Sequence, residues 1–335
     1  MIEERYEPPS PEAMREIFRR AVAQAVRAPS VLNTQPWRFK LGDNAVEVLA
    51  DPVRRLAEID PDGRALSVAC GTAAFFLRTA LACESLVTSA EVCPEEARPE
   101  LLVRVTVRVV EPPGDLVRAL GEAIPKRASN RGAFLEMPVP DEMIERFKVG
   151  AAAENAWFMP LATESLRVRI TALLMEADHW QWEDPDFRRE LTAWLRADKT
   201  RALDGIPARD LGVGSSRIAR LAARVIDLGE REALRDRDLV LASPLLAVIG
   251  TAGDHREDYV HAGMALGRVL LEATDEGISA SFLNPVMEVA EVRDQLVKFV
   301  HENGGRGHPQ VVLRMGYGPA VTPGERRTVD EVIVT

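Results

Sequence analysis

Cysteine is scarce in this chain, with three residues in 335, Cys70, Cys83 and Cys93, an odd number without C-x-x-C spacing. A disulfide framework and a zinc module are thereby disfavoured, and the cysteines read as thiols, Cys70 and Cys83 being expected in the interior. Histidine is equally sparse. The five residues His179, His255, His261, His301 and His308 show no metal-ligand spacing, and His301-Glu302-Asn303 lacks the second histidine of H-E-x-x-H. Positive charge is in deficit: 42 basic against 52 acidic residues leave a formal charge of −10, which argues against nucleic acid or an anionic membrane as the main partner. Long apolar runs are missing too, since the longest, Leu239 to Ala252, is too short to span a bilayer, and Met1-Ile2-Glu3-Glu4-Arg5 is not a signal segment. The expectation is a cytoplasmic chain with no membrane and no nucleic-acid partner. No G-x-S-x-G and no P-loop is present, and Gly212-x-Gly214-x-x-Arg217 follows no strand and has arginine for its third glycine.

At this length either two domains or two interlocked halves around one core would serve. Ser10-Pro11-Glu12 is a helix start, and Met14, Ile17, Phe18, Ala21 and Ala25 line one face of the helix it opens. Strands are predicted at Trp37 to Leu41 and Ala45 to Ala50 around Gly42-Asp43-Asn44, and a small-residue helix at Arg64 to Leu86. Leu101 to Val110 alternates as a half-buried strand before Pro112-Pro113-Gly114 breaks it. Beyond the midpoint come a helix from Asp141, a polar segment from Trp180 to Arg237, an apolar strand at Leu239 to Gly250, a helix at Tyr259 to Glu276 and a strand at Val311 to Gly316. The polar segment contains Asp184-Pro185, Gly205-Ile206-Pro207 and Gly212-Val213-Gly214-Ser215, which predict short helices joined by turns, suited either to a lid over a site or to a decoration away from it.

Two elements are not core patterns. Ala28-Pro29-Ser30-Val31-Leu32-Asn33-Thr34-Gln35-Pro36-Trp37 lies between helix and strand, so its amide side chains and backbone N–H groups are free to read a planar heteroaromatic edge. Arg127-Ala128-Ser129-Asn130-Arg131 sets two guanidinium groups around a hydroxyl, the donors a phosphate monoester accepts. Together they suggest a flavin mononucleotide site. Taken singly, each has a plainer reading, as solvated arginines or as a rigid loop with Trp37 in the core. Gln35 is equally suited to satisfying loop backbone.

These elements resemble the R-x-S-x-R and A-P-S-x-x-N-x-Q-P-W signatures of the FMN-dependent nitroreductase family, in the reversed order of its fused, Acg-like branch. Phe134 and Pro138-Val139-Pro140 after the arginine element resemble an ordinary member's opening, whereas Ala151-Ala152-Ala153-Glu154-Asn155-Ala156-Trp157 stands where a second A-P-S element would come. The resemblance implies an α+β fold, a nitroreductase-like α/β/α sandwich of two tandem half-repeats, residues 1–120 and 121–335, forming an intramolecular pseudo-dimer that can be monomeric, with a lid insertion at 180–237. It implies one FMN per chain, held by Arg127, Ser129, Arg131, Pro29, Ser30, Asn33, Gln35, Phe282, Leu283, Asn284, Arg326 and Arg327. Tyr317-Gly318-Pro319 matches the family's G-Y-x ending, and Gly277-Ile278 its turn toward a flavin-facing strand. The implied activity is NAD(P)H oxidoreduction by ping-pong hydride transfer through flavin N5 to a nitroaromatic or quinone-like small-molecule acceptor, with no catalytic side chain required. Two alternatives remain open at this point: a lidded protein that holds FMN with little turnover, and a scaffold that has lost flavin.

Overall fold

The computed structural model of the chain describes residues 9–197, 201–208 and 237–335. The Ser10 hydroxyl accepts a hydrogen bond from the Ala13 amide and Pro11 occupies the first turn, so helix α1 (Pro11–Ala25) begins where its cap predicts and buries Met14, Phe18, Ala21, Val22 and Ala25. Strands β1 (Trp37–Leu41) and β2 (Ala45–Ala50) form the expected antiparallel pair, Phe39 opposite Val48. Helix α2 (Arg64–Cys83) ends short of the predicted Leu86 because Ser85 turns the chain at a φ of 65°, and strand β3 (Leu86–Val92) comes next. β3 pairs with β4 (Leu101–Val110). Helix α3 (Asp115–Ala123) comes after the proline break. Cys70 is buried as expected, but Cys83, at the C-terminal end of α2, is exposed.

The second half opens with α4 (Asp141–Ala153) and β5 (Trp157–Pro160), then α5 (Glu164–Glu183) and α6 (Pro185–Ala193). Two short parallel strands, β6 (Leu195–Arg196) and β7 (Ile206–Pro207), lie within the expected insertion. The Gly212-Val213-Gly214-Ser215 turn lies outside the described residues. Downstream are β8 (Leu245–Thr251), α7 (Arg256–Asp275), β9 (Ile278–Phe282), α8 (Ala290–Glu302), β10 (His308–Tyr317) and β11 (Ile333–Val334). The apolar run from Leu239 is therefore not one strand: residues 237–241 are helical, and Pro244 separates them from β8.

The duplication expected from the sequence is visible as topology. Apart from the insertion with its flanking helices and the helical segment 285–302, containing α8, between β9 and β10, each half runs helix, strand, strand, helix, strand, strand, and in each sheet the spatial order is first, second, fourth, third: β1-β2-β4-β3 and β5-β8-β10-β9. Strand β11 crosses over to pair in parallel with β1, Phe39 opposite Ile333, so the last residues of the chain complete the first sheet. The halves meet where α2 crosses α7 at Gly71 and Gly263. A methyl group on Gly71 would sit 2.2 Å from the Val260 carbonyl oxygen, one on Gly263 2.1 Å from that of Val68, and the Thr72 hydroxyl donates to the Gly263 carbonyl at 2.9 Å. Only glycine permits this approach. Helix α2 is long and apolar enough to cross a membrane by length and composition, but most of it is interior to this packing.

The two sheets differ in burial. Strand β8 is buried on both faces: Leu245, Ala247 and Ile249 pack toward α4 and α7, while Leu246 and Val248 pack toward α5 and α8. On the first sheet Val46 and Val48 join the core under α1 and α2, but Glu47 points to the opposite face, where Arg98 and Arg104 pair with it. The halves also differ in the connection after the first helix. Residues 26–36 separate α1 from β1, whereas only 154–156 separate α4 from β5. In that short connection Glu154 is buried and held by Arg78 at 2.7 Å, with Arg268 at 3.7 Å.

Candidate functional site

The long connection 26–36 is strained. Leu32, Asn33 and Gln35 adopt φ values of 50°, 55° and 51°, a region that costs a non-glycine residue about a kcal/mol or more and persists only where surroundings enforce it. Here the Ser30 hydroxyl accepts from the Gln35 amide at 2.9 Å and the Thr34 hydroxyl donates to the Val31 carbonyl at 3.0 Å. Asn33 Nδ2 donates to the carbonyls of Gly205 and Glu325, each at 3.2 Å, and its buried Oδ1 has no partner among the described residues.

The arginine element is fixed along the edge of β9. The Asn130 amide donates to the Ala280 carbonyl at 3.0 Å, and Arg314, buried in β10, donates to the carbonyls of Gly132 and Asn130 at 2.9 and 3.2 Å while stacking 4.7 Å above the Phe134 ring. This anchoring leaves Arg127 with an unusual environment. It is 4% exposed, its Nη2 donates to the Arg27 carbonyl at 3.2 Å, its Nη1 reaches the Ser129 hydroxyl at 3.4 Å, and among the described residues its Nε has no partner. The half-buried Arg326 shares the Arg27 carbonyl through Nη2 at 3.4 Å, and among the described residues its buried Nε likewise has no partner. Among the described residues no carboxylate pairs with Arg127 or Arg326. Burial, then repulsion from Arg326 and Arg131, pushes the Arg127 guanidinium down to about 9, and burial with repulsion from Arg27 and Arg131 pushes Arg326 down to about 10.

Both arginines line a cavity of about 1380 Å³ between the two halves. Ten of the twelve residues expected at the site stand in its wall: Pro29, Ser30, Asn33, Arg127, Ser129, Arg131, Phe282, Leu283, Asn284 and Arg326. Gln35 and Arg327 do not. Gln35 is fully buried, donating from Nε2 to the Leu203 carbonyl at 2.7 Å and accepting the Arg327 amide at Oε1 at 2.8 Å. Arg327 turns the same way, donating to the carbonyls of Gln35 and Glu331, with Asp51 at 3.7 Å. The basic pair is thus divided, Arg326 toward the cavity and Arg327 into the protein.

The described part of the insertion contributes one wall. Trp182, Phe187 and Leu191 pack with Ile59 and touch the cavity, and Asp204 bridges Arg54 and Arg196 at 3.0 and 2.9 Å, fastening the β6–β7 excursion beside the strained loop. Several residues here escaped the sequence. Arg27 acts through its carbonyl, which no side-chain pattern reports, although it directly precedes the A-P-S element. Arg314 hides inside an apolar strand. Arg64, which chelates Asp254 and bonds Gln310, lies at the start of α2, and Arg64 and Gln310 line the cavity. Burial opposes the Asp254 charge, and Arg64 with Gln310 overcomes it, holding the carboxyl down to about 2. Asp60, Gln181 and Glu288 form a further, acidic part of the wall.

A family model described as the nitroreductase family matches residues 124–317, more than half of the chain. The chain belongs to the nitroreductase family. Relatives of its fused branch match almost end to end. A Mycobacterium tuberculosis (strain ATCC 25618 / H37Rv) protein provisionally named NAD(P)H nitroreductase Rv3131 is 31% identical over 324 residues, covering 95% of this chain and 91% of the relative. The product named acg from the same strain, also provisionally an NAD(P)H nitroreductase, is 28% identical over 332 residues, covering 95% of each. Among solved structures, the FMN-dependent nitroreductase NfnB from Mycobacterium smegmatis, in complex with NADPH, aligns with 65% of this chain and 93% of its own at 15% identity and a TM-score of 0.39. The nitroreductase match begins at Ile124, three residues before the arginine element, and ends at Tyr317, the last residue of β10, so it spans the second half only.

Proposed function

We propose that this nitroreductase-family chain is an FMN-dependent NAD(P)H oxidoreductase that binds one FMN in the cavity between its halves and reduces a nitroaromatic or quinone-like acceptor. The observation that carries the reading is the buried Arg127 guanidinium with the half-buried Arg326 beside it, which among the described residues have no carboxylate partner and retain Nε–H donors without a partner. A buried cation without a counter-ion is costly, and a phosphate dianion arriving in the cavity relieves that cost with charge-assisted hydrogen bonds. Ser129 adds a hydroxyl beside Arg127. Ser30 and Asn33 stand in the wall, as do Phe282 at the end of β9 and Leu283 and Asn284 after it. The fit is chemical as well as steric, because the cavity exceeds the 300–1,000 Å³ common for one small ligand and leaves room for a second beside the cofactor.

FMN, when bound, supplies hydride chemistry at N5, accepting from NAD(P)H and giving to the acceptor in a separate half-reaction, which makes the kinetics ping-pong. The chain's part is to anchor, orient and exclude water. We assign residues 1–120 and 121–335 to the two halves, the 180–237 insertion to a lid, and the whole to a cytoplasmic enzyme able to act as a monomer, its subunit contact already supplied in cis. The second connection supports a single site, since 154–156 are too few residues to form a second A-P-S loop and Glu154 occupies the position with its own arginine partners.

The insertion wall favours a second reading, a protein that holds FMN with little turnover, because Trp182, Phe187 and the β6–β7 excursion stand in the wall of the cavity that cofactor, reductant and acceptor would have to share. Anaerobic stopped-flow absorbance after flavin counting separates the two. Bleaching of oxidised flavin by NADPH or NADH at about one FMN per chain supports the reductase. Flavin reduced by dithionite but by neither nicotinamide supports the holding protein.

A further inference from the structure

Among the carboxyl groups of the cavity wall and the helix behind it, three stand in unequal circumstances: Asp60, Glu190 and Glu288. Asp60 accepts backbone amides on both oxygens, from Ala65 at 3.0 Å and Leu66 at 2.8 Å. Glu190, on α6, accepts three, from Ala57, Glu58 and Ile59 at 2.6, 3.0 and 2.8 Å. Backbone amides only donate, so they occupy lone pairs on both groups; at Asp60 burial outweighs these bonds and pushes the carboxyl above its ordinary range. Glu288 differs. Its Oε2 accepts a single hydrogen bond, from Gln181 Nε2 at 2.8 Å, and among the described residues its other oxygen has none. The remaining surface of Glu288 faces the cavity.

Among the described residues no cation compensates Glu288. The nearest arginine on its own stretch, Arg293, spends Nη1 on the Met287 carbonyl at 3.0 Å and stands 3.8 Å from Asp62. The groups that act on Glu288 are Asp60 before α2, Gln181 on α5 and Glu190 on α6, and Asp62 and Asp178 stand in the same cavity wall. The neighbouring carboxyls oppose a further negative charge at the half-buried Glu288. A proton shared among them resides where no amide occupies a lone pair.

We propose that Glu288 is a neutral carboxylic acid at physiological pH and serves as the hydrogen-bond donor for an oxygen of the acceptor molecule, a nitro or carbonyl oxygen, in the part of the cavity bounded by Asp60, Gln181 and Trp182. This rests on the reading of the cavity as an acceptor site. Burial, with Asp60 and Glu190 adding repulsion against the pull of Gln181, raises the carboxyl to about 8, so the donor form prevails below that pH and is lost above it. The selected ligand class is neutral and oxygen-accepting. A carboxylate-bearing acceptor would meet the carboxyls of Asp60 and Asp178 in the wall and is selected against.

The test uses the FMN-loaded, oxidised protein without reductant, so that no turnover occurs. Difference infrared spectroscopy across pH 6 to 9.5 should show a carboxylic C=O band at neutral pH that disappears through a midpoint near 8 and is missing from Glu288→Gln. Calorimetric titration with nitrobenzene should show affinity falling roughly tenfold between pH 7 and 9.5, the value of one lost neutral hydrogen bond with added repulsion. Glu288→Gln, whose amide also donates, should keep neutral-pH affinity and lose the pH dependence. Should that variant fail to fold, Gln181→Leu serves, because removing the bond that favours the carboxylate must move the midpoint upward. An ionised Glu288 at pH 7, or pH-independent nitrobenzene affinity in the unaltered protein, overturns the inference while leaving the FMN reading intact. Failure of NAD(P)H to reduce the flavin would overturn the oxidoreductase reading without changing the infrared result.

Discussion

Replacing Arg127 with methionine should make the empty protein more stable and the FMN complex weaker. In the empty protein this guanidinium is buried, shares one carbonyl with Arg326 and has been pushed down to about 9, so keeping it charged at neutral pH costs on the order of 4 kcal/mol. Methionine fills similar length with apolar atoms and removes that cost, less the two hydrogen bonds of about 1 kcal/mol each to Ser129 and the Arg27 carbonyl. The net expectation is an apo melting temperature that rises by several degrees. Toward FMN the same change removes a charge-assisted donor worth about 1.5–3 kcal/mol, so the dissociation constant should increase about tenfold to a hundredfold. Thermal melts with and without FMN, together with flavin-fluorescence titration, measure both arms. The pH dependence has a definite sign: as pH rises through about 9 the empty protein's Arg127 loses its proton, so unaltered FMN affinity should decline there and Arg127→Met should lack that decline. An Arg127→Met protein that melts lower than the parent yet binds FMN with undiminished affinity would refute the reasoning, since Arg127 would then be a structural cation.

The divided arginine pair should separate by phenotype: Arg326→Met lowers FMN affinity with little change in melting, whereas Arg327→Met lowers the melting temperature because the carbonyls of Gln35 and Glu331 lose their donor, as paired thermal melts and flavin titrations would show. Gly71→Ala should destabilise by about 1–3 kcal/mol or more, as the added methyl meets backbone at the α2–α7 crossing, and chemical denaturation would read it. Asp204→Asn should speed FMN release severalfold in a stopped-flow dilution, because the β6–β7 excursion loses its double anchor to Arg54 and Arg196. For Asp254, whose folded value is depressed to about 2, the Arg64 contribution is present above the unfolded value near 4 and lost as pH falls toward 2. Asp254→Asn should therefore reduce stability at pH 6 and flatten the acid arm of the melting profile.

Much of the fold was legible because its signals are local. The Ser10-Pro11 cap, the Gly42-Asp43-Asn44 turn and the alternation of Leu101 to Val110 each state a backbone conformation within a few residues. The missed strand β3 needed Ser85 at positive φ, a turn that serine does not advertise, and the overextended Leu239 strand needed Pro244 to be weighed against its apolar neighbours. At the site, Arg127 and Ser129 were readable as a phosphate pattern, but which of Arg326 and Arg327 faces the cavity depends on Gln35, nearly three hundred residues away in sequence. Arg27 contributes a carbonyl and Glu288 an environment. Neither property belongs to residue type, so neither can be spelled in a motif.

The short 154–156 connection also bears on how such a chain can change. In a homodimer with two-fold symmetry every substitution is made twice, so a residue cannot close one pocket without closing its twin. Joining two copies head to tail lifts that constraint. Glu154 could enter one pocket while Ser30 and Asn33 kept the other, and an insertion could grow on one copy alone. What the duplication acquired was independence of its two halves, and the asymmetry of the cavity is the record of it.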